Sequence, residues 1–499
     1  LPFLEDTDAT PRGGEGRGYE FATSWSMPPA ELTGVALPEF VGVSVADEQG
    51  EPPFGNYRGE NPFKLHTEYV GAFALLLLAL GFAFSRRSRD WWFFLGLALV
   101  TLTFAFGGHT PLYRLYYELL PGTRLFRAPS ISFFLVSTAL VVMAALTLER
   151  LALLREERSR KHGDDPLRTA TWILAGCAVL VLLVIGLASA GAGSAPEARS
   201  LQAGAARLGL FVVLVGSVLW AWLRRHLATR VAAIALAVLT TVDLWVVDRH
   251  FFRAIPGPAF TFAPDDVVHF LSLEPGTFRV WNLPIQGASY RGQPDNYLMH
   301  FDIAQAGGEH STPLLHYVEY LGAGERSYVD WENLAQHRQF LNAANIRFLL
   351  ASAPVGGFPL AYRGPSGLVF ENPDALPRAY LVPEAIVATA PDGALEVMRQ
   401  PDFDPRRAAV LYESPGVELS AGPLQGTAEI VEYEPDRVRV RTVADRPALL
   451  VLADNDYAGW EATVDGAAAP VLRANHTFRA VALAEGEHDV VFEFHPRRL

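Results

Sequence analysis

The sequence predicts a polytopic α-helical membrane bundle, followed by an extracytoplasmic mixed α/β region and a C-terminal antiparallel β-sandwich. Three observations predict it. Six long apolar runs lie between residues 69 and 247, and none lies beyond. Acids and bases balance through residue 247, at 21 each, whereas residues 248–499 hold 33 acids and 20 bases and so carry the whole net charge of −13. From about Gly426, short runs of alternating apolar and polar residues are divided by turn residues.

Composition excludes several classes. Half of the 499 residues are hydrophobic and 19% are charged, which rules out a disordered chain and argues against an ordinary soluble enzyme. The acidic balance speaks against nucleic acid as a partner. The single cysteine, Cys177, excludes an intramolecular disulfide framework and a thiolate metal cluster. The bases are Arg except for Lys64 and Lys161, which suggests a GC-rich bacterial source.

Residues 1–68 form the first segment. It opens Leu-Pro-Phe with no signal-peptide pattern, and the expectation is that this chain is the C-terminal portion of a longer polytopic protein. The membrane domain, 69–247, contains the runs Tyr69–Phe84, Trp91–Phe106, Ile131–Leu148, Thr171–Ala190, Leu208–Leu223 and Val231–Val247. Each approaches the ~20 residues needed to cross a hydrocarbon core. The loops after the first, third and fifth runs hold twelve basic residues and the two alternate loops hold five. The richer set should face the cytoplasm, which places residues 1–68 and 248–499 outside it, in a multi-pass protein of the bacterial cytoplasmic membrane.

The outer loop 108–130 reads as re-entrant or interfacial. Residues 248–425 read as a mixed α/β domain, with a helix at Pro264–Leu273 and strands at Arg347–Ala351, Leu368–Glu371 and Ala379–Val382. Residues 426–499 read as a sandwich of seven strands: Ala428–Tyr433, Arg437–Val443, Ala448–Ala453, Trp460–Val464, Pro470–Arg473, Phe478–Leu483 and His488–Phe494. Asp465-Gly466 marks a two-residue hairpin turn.

Few residues suggest chemistry. Arg124 and Arg127, with Arg114, sit in the outer loop beside His109, Tyr116 and Tyr117. Arginine binds phosphate through a planar, bidentate fork, and a lipid phosphate lies at this depth. The competing reading is interfacial anchoring. Asp243 lies one turn from the outer end of the sixth run, and an ionisable group in a span is functional or paired. It is a weak candidate for the catalytic acid, with interfacial water or Arg249 as the plainer partners. Asp248 and His250 follow it as boundary residues.

Gly307-Gly-Glu-His310 reads as a structural turn before a proton-transfer pair. Asp454, Asp456 and Asp465 lack the spacing of a calcium loop. Trp460 reads as sandwich core, with glycan stacking as the other reading. Asn475-His-Thr477 matches the glycosylation pattern by chance in a bacterial chain. No cofactor is indicated, no metal site is assigned, and a divalent metal is left open.

Several segments carry a resemblance. They are Ala22-Thr-Ser-Trp-Ser26, Pro28-Pro-Ala-Glu-Leu32, Leu37-Pro-Glu-Phe-Val-Gly42, Glu68-Tyr-Val-Gly71, Leu125-Phe-Arg-Ala-Pro-Ser130, Leu341-Asn-Ala-Ala-Asn-Ile-Arg347, Glu371-Asn-Pro-Asp-Ala-Leu-Pro-Arg378 and Tyr457-Ala-Gly-Trp-Glu-Ala-Thr-Val-Asp-Gly466. Together with Phe478-Arg-Ala-Val481 and Gly486-Glu-His488, they make the chain similar to the later part of the YfhO-type bacterial membrane protein family.

The resemblance implies a GT-C-like glycosyltransferase. Such a protein would take a sugar from a polyprenyl-phosphate donor and pass it to a cell-envelope glycopolymer on the outer face. It also implies a catalytic acid in an outer loop that would precede Leu1, so that this chain alone would not be a competent transferase. One departure is Ile131, where many members carry a second Arg. The alternative is a non-catalytic membrane protein whose ectodomain binds envelope glycans or partner proteins.

Overall fold

The computed structural model describes residues 18–43, 57–59, 64, 66–157, 167–190, 196–252, 257–285, 287–292, 296–308, 313–322, 331–390, 393–419 and 421–495. They form two compact units, residues 18–252 and residues 257–495.

The first unit is helical. Its helices are α1 (Gly18–Thr23), α2 (Ala72–Phe84), α3 (Arg89–Ala105), α4 (Leu112–Leu119), α5 (Phe133–Glu157), α6 (Leu167–Ala190), α7 (Pro196–Leu223) and α8 (Thr229–Asp248). Among the described residues four helical stretches are long and apolar enough to cross a membrane: Pro129–Glu157, Arg168–Ser189, Ala198–Leu223 and Thr229–Phe251. The first two apolar runs also fold as helices, but α2 has 13 residues and α3 has 17. At about 1.5 Å per residue each is shorter than a ~30 Å core, and a crossing there would need flanking residues or a locally thinner bilayer. Local chemistry limits them: Gly71 takes φ +87 before α2, and Ser88 caps α3 by accepting from the Trp91 N–H.

Despite its length, α2 is central. Leu76, Leu77 and Leu80 pack with Ala144 and Leu151 of α5, with Val215 and Leu219 of α7 and with Leu236 of α8. Phe93, Phe134, Trp172, Leu183 and Ile234 point outward and are each more than half exposed. Helices that are apolar on the outside as well as the inside suit a lipid solvent rather than water.

Among its described residues the second unit contains three sheets. The first has the order β1-β2-β4-β3, made by Arg279–Asn282, Ile346–Ala351, Leu360–Arg363 and Leu368–Glu371 in chain order. Its β1 and β2 run parallel and the other pairs antiparallel. The expected helix in this region spans Asp266–Leu273, capped by Asp265, whose Oδ1 accepts from the Val268 N–H.

The remaining strands are β5 (Ala379–Val382), β6 (Glu384–Val387), β7 (Ala408–Leu411), β8 (Gly426–Tyr433), β9 (Arg437–Ala444), β10 (Ala448–Asn455), β11 (Trp460–Val464), β12 (Ala467–Ala469), β13 (Leu472–Ala474), β14 (Phe478–Leu483) and β15 (Gly486–Phe494). They form a six-stranded sheet, β5-β10-β14-β13-β7-β6, and a five-stranded sheet, β12-β11-β15-β9-β8. The Asp465-Gly466 hairpin is present: Val464 pairs with Ala467, and both turn residues take positive φ.

The grouping differs from the expected sandwich of residues 426–499. Eight strands are found there, because the expected Pro470–Arg473 strand gives way to β12 and β13. Three of the eight, β10, β13 and β14, join β5, β6 and β7 from before residue 426, in a sheet with a parallel β6–β7 pair. The reason lies in β10. Leu450 and Leu452 face a core shared with Val440, Val490 and Phe492 of the five-stranded sheet. Leu449, Val451 and Ala453 face a second core with Leu341, Leu376 and Val410. A strand apolar on both faces needs cover on both, and residues 426–499 supply only one.

Candidate functional site

In the helical unit, the outer-loop arginines surround one aromatic cluster. On α4, Tyr113 and Tyr117 are four residues apart on one face and are buried against Tyr19 of α1, at ring distances of 6.1 and 5.3 Å. The opposite face presents Leu112, Leu115 and Leu119, all exposed. Arg114 lies 5.6 Å over Tyr19, Arg124 lies 5.2 Å over Tyr117, and Arg127 lies 3.8 Å over Trp25. Arg124 is also ion-paired to Glu118. Among the described residues Arg114 and Arg127 have no carboxylate partner.

The loop is drawn onto α1 by Ser26, whose hydroxyl donates to the Thr23 carbonyl at 2.6 Å and accepts from the Gly108 N–H at 2.9 Å. Gly107 makes this approach possible, since a Cβ there would lie 2.1 Å from Ser26 Oγ. The Ala22–Ser26 and Leu125–Ser130 segments are thus brought together. The aromatic seat that Trp25 gives Arg127 was not anticipated from sequence.

Asp243 is 1% exposed and fully engaged. It accepts from the Tyr69 hydroxyl at 2.7 Å, from the Ala72 N–H at 2.8 Å and from Arg207 at 3.4 Å. Arg207 in turn meets Glu39 at 3.4 Å and lies 4.5 Å over the Tyr69 ring. Its ion-pair partner is therefore Arg207 rather than the anticipated Arg249. The carboxylate neutralises the N-terminal turn of α2, where helix N–H groups need an acceptor.

A second buried cluster was missed by sequence reasoning. Lys64 Nζ donates to Glu31 at 2.7 Å and also to Glu68, and all three residues are buried. Tyr57 donates its hydroxyl to Glu31 as well. Glu68 Oε2 is buried with no hydrogen-bond partner among the described residues, beside Gly34, where a Cβ would lie 2.9 Å away. Burial pushes the Glu68 carboxyl above its usual range, against the pull of Lys64. Desolvation favours the protonated form of such a carboxyl, and the Lys64 ammonium opposes it. The available signal was Lys64 itself, one of two lysines in the chain, four residues before Glu68.

In the second unit Trp460 is half-buried, packs against the core between the two larger sheets and lies over Arg479 at 3.5 Å. Asp454 is ringed by Arg279, Arg378 and Arg479, which suits a carboxylate counter-ion rather than a calcium ligand. Asp465 accepts from the Asp489 N–H and pairs with His488, so it serves the hairpin. Asn475, His476 and Thr477 are buried, which denies a glycan access to the glycosylation pattern. Glu309 and His310 lie outside the described residues.

His316, Glu319 and His476 bring three potential metal-ligand atoms within 4.8 Å of one another. Glu319 Oε2 meets His316 Nδ1 at 3.3 Å and His476 Nε2 at 2.8 Å. Arg473, which has only donors, contacts His316 Nε2. The three side chains thus meet one another through Glu319, with Arg473 beside His316.

Set beside known proteins, the chain is matched by no family model, no curated protein and no solved structure.

Proposed function

We propose that the chain is part of an integral membrane glycosyltransferase-like protein. In this reading it crosses the bacterial cytoplasmic membrane six times, with the basic loops inside and residues 248–499 outside. It moves a sugar from a polyprenyl-phosphate donor to a cell-envelope glycopolymer. The observation that carries the reading is Arg127, exposed, seated over Trp25 and without a carboxylate partner among the described residues. A guanidinium held by a ring but not neutralised keeps its forked donors for a phosphate.

In the transfer, the acceptor hydroxyl loses its proton to a base as its oxygen bonds to the sugar carbon. The bond from that carbon to the phosphate oxygen breaks, and the electron pair leaves with the phosphate. Arg127 and Arg114 would stabilise that charge. Asp243 is poorly placed to be that base, because the Tyr69 hydroxyl, the Ala72 N–H and Arg207 already hold its oxygens.

Transfer of radiolabelled sugar from a polyprenyl-phosphate donor, measured in native membranes with the intact protein, tests this. Arg127→Ala should reduce transfer at least about 100-fold, as loss of a transition-state donor does, while Arg127→Lys restores part of it. Transfer by Arg127→Ala at the parental rate would sink the phosphate role and leave the arginine as an interfacial anchor. The second reading, a non-catalytic protein whose ectodomain binds glycans, is favoured by the cavity beside Trp460.

A further inference from the structure

Three arginines share one carboxylate in the interior of the second unit. Arg279 donates to the carbonyls of Ala344 and Ala453 at 2.9 and 2.6 Å and to Asp454 at 3.0 Å. Arg378 donates to Asn345 Oδ1 at 2.9 Å, to Asp454 at 3.0 Å and to the Tyr433 hydroxyl at 3.3 Å. Arg479 stands 3.7 Å from Asp454, beyond a hydrogen bond. As a result Arg378 Nη2 and Arg479 Nε and Nη1 are buried with no hydrogen-bond partner among the described residues. Arg479 is 3% exposed.

The charge is unbalanced. Three guanidinium groups face Asp454, and the next acids do not make up the difference. Burial holds the Asp456 carboxyl above its usual range despite Arg473 and Arg479. Glu434 is exposed at the rim. Burial likewise draws the Arg378 and Arg479 guanidinium groups below their usual values. Unpaired buried charge is among the costliest features a fold can keep.

Arg479 also lines a cavity of about 390 Å³, together with Arg279, Tyr433, Asp454, Tyr457 and Trp460. Trp460 stacks on the guanidinium, and Tyr457 stands edge-on to Trp460 at 6.4 Å. A cationic donor set beside a wall of aromatic rings matches a ligand with an anionic group on one side and a flat apolar sugar face on the other.

We propose that this cavity binds an anionic sugar unit, with phosphate or carboxylate oxygens on Arg479 and the sugar ring against Tyr457 and Trp460. The site lies wholly within residues 279–479 and does not depend on the transferase reading, so either can fail alone.

The test is calorimetric titration of the purified intact chain in detergent with glucose 1-phosphate, glucuronate, inorganic phosphate and glucose. The expected result is saturable binding of a charged sugar at least about tenfold tighter than phosphate, the weight of one strong contact. Glucose alone should give none, and added salt should weaken the signal. Arg479→Gln should lower charged-sugar affinity at least about tenfold, and Trp460→Leu should bring it toward that of phosphate.

If Arg479→Gln does not fold, Trp460→Leu, at a half-buried position, still tests the sugar contact, and the comparison with phosphate and glucose tests the anion contact. The proposal is overturned if neither charged sugar binds saturably, or if the substitutions that fold bind as tightly as the parent. Phosphate binding as tightly as the charged sugars would also overturn it, leaving a site for a free anion.

Discussion

Replacing Asp243 with alanine removes one side chain and leaves three groups without their partner. The Tyr69 hydroxyl and the Ala72 N–H lose an acceptor, and Arg207 loses one of its two carboxylate partners among the described residues. Asp243 is almost fully buried and the Arg207 side chain is 10% exposed, so water replaces little of what is lost. Breaking a buried charge pair from one side costs about 3–5 kcal/mol. In a unit of this size each kcal/mol moves the thermal midpoint by about 2–4 °C, which gives a fall of roughly 6–20 °C.

Asp243→Asn keeps an acceptor but not the charge, and should cost about 1.5–3 kcal/mol. The assay is thermal unfolding of the detergent-solubilised chain, followed by loss of a monodisperse species. Tyr69→Phe completes a double-substitution cycle in which the combined loss should fall short of the sum by at least about 0.5 kcal/mol. An Asp243→Ala midpoint within about 2 °C of the parent, with an additive cycle, would refute the view that this carboxylate ties α2, α7 and α8 together.

Three further outcomes are expected. Burial opposes ionisation of Asp454, but Arg279, Arg378 and Arg479 overcome it and hold the carboxyl below its usual value. Its stabilisation is therefore complete above the unfolded value near 3.9 and is lost as pH falls through the lower folded one. Acid unfolding of the second unit below about pH 4 should be less steep in Asp454→Asn, and an unchanged profile would contradict this.

A fragment starting at Pro423 should give no protease-resistant core, because β10 and β13 lose their partners β5 and β7. A fragment starting at Gly257 should resist digestion, and equal resistance of both would show that the upstream strands are dispensable. With Cys177 replaced by Ser, a cysteine at Ala228 should be protected from an impermeant thiol reagent in intact cells and one at Glu485 should react; the reverse would invert the proposed orientation.

Local signals carried much of the architecture. The apolar runs gave the helices because Asp243 is the one charged residue within them, and Asp465-Gly466 gave its hairpin because both positions need positive φ. The strand at Ala448 was visible, but its sheet was not, since Leu449 to Leu452 read the same whether one face is covered or two. The site was less legible. Asp243 could be flagged as a costly residue in a span, whereas Arg207, 36 positions away, could not be named as its partner. Lys64 finds Glu31 across 33 residues, and Arg127 finds Trp25 only because Ser26 and Gly107 bring two segments together. Spacing reveals partners on one helix or hairpin, and these contacts cross between elements.

The double-sided packing of β10 also sets how the second unit can open. Leu450 and Leu452 belong to one core, and Leu449 and Val451 to the other. Neither core can be exposed to water without lifting a wall of its neighbour, which merges two potential foldons into one. Amide protons on β10 should then exchange at the rate of global unfolding, while those of β12, an edge strand three residues long, exchange through local fraying. The cavity beside Trp460 is built at the last residues of that shared strand, Asp454 and Asn455. A ligand bound there would therefore slow exchange across the whole unit rather than in the loops nearest to it.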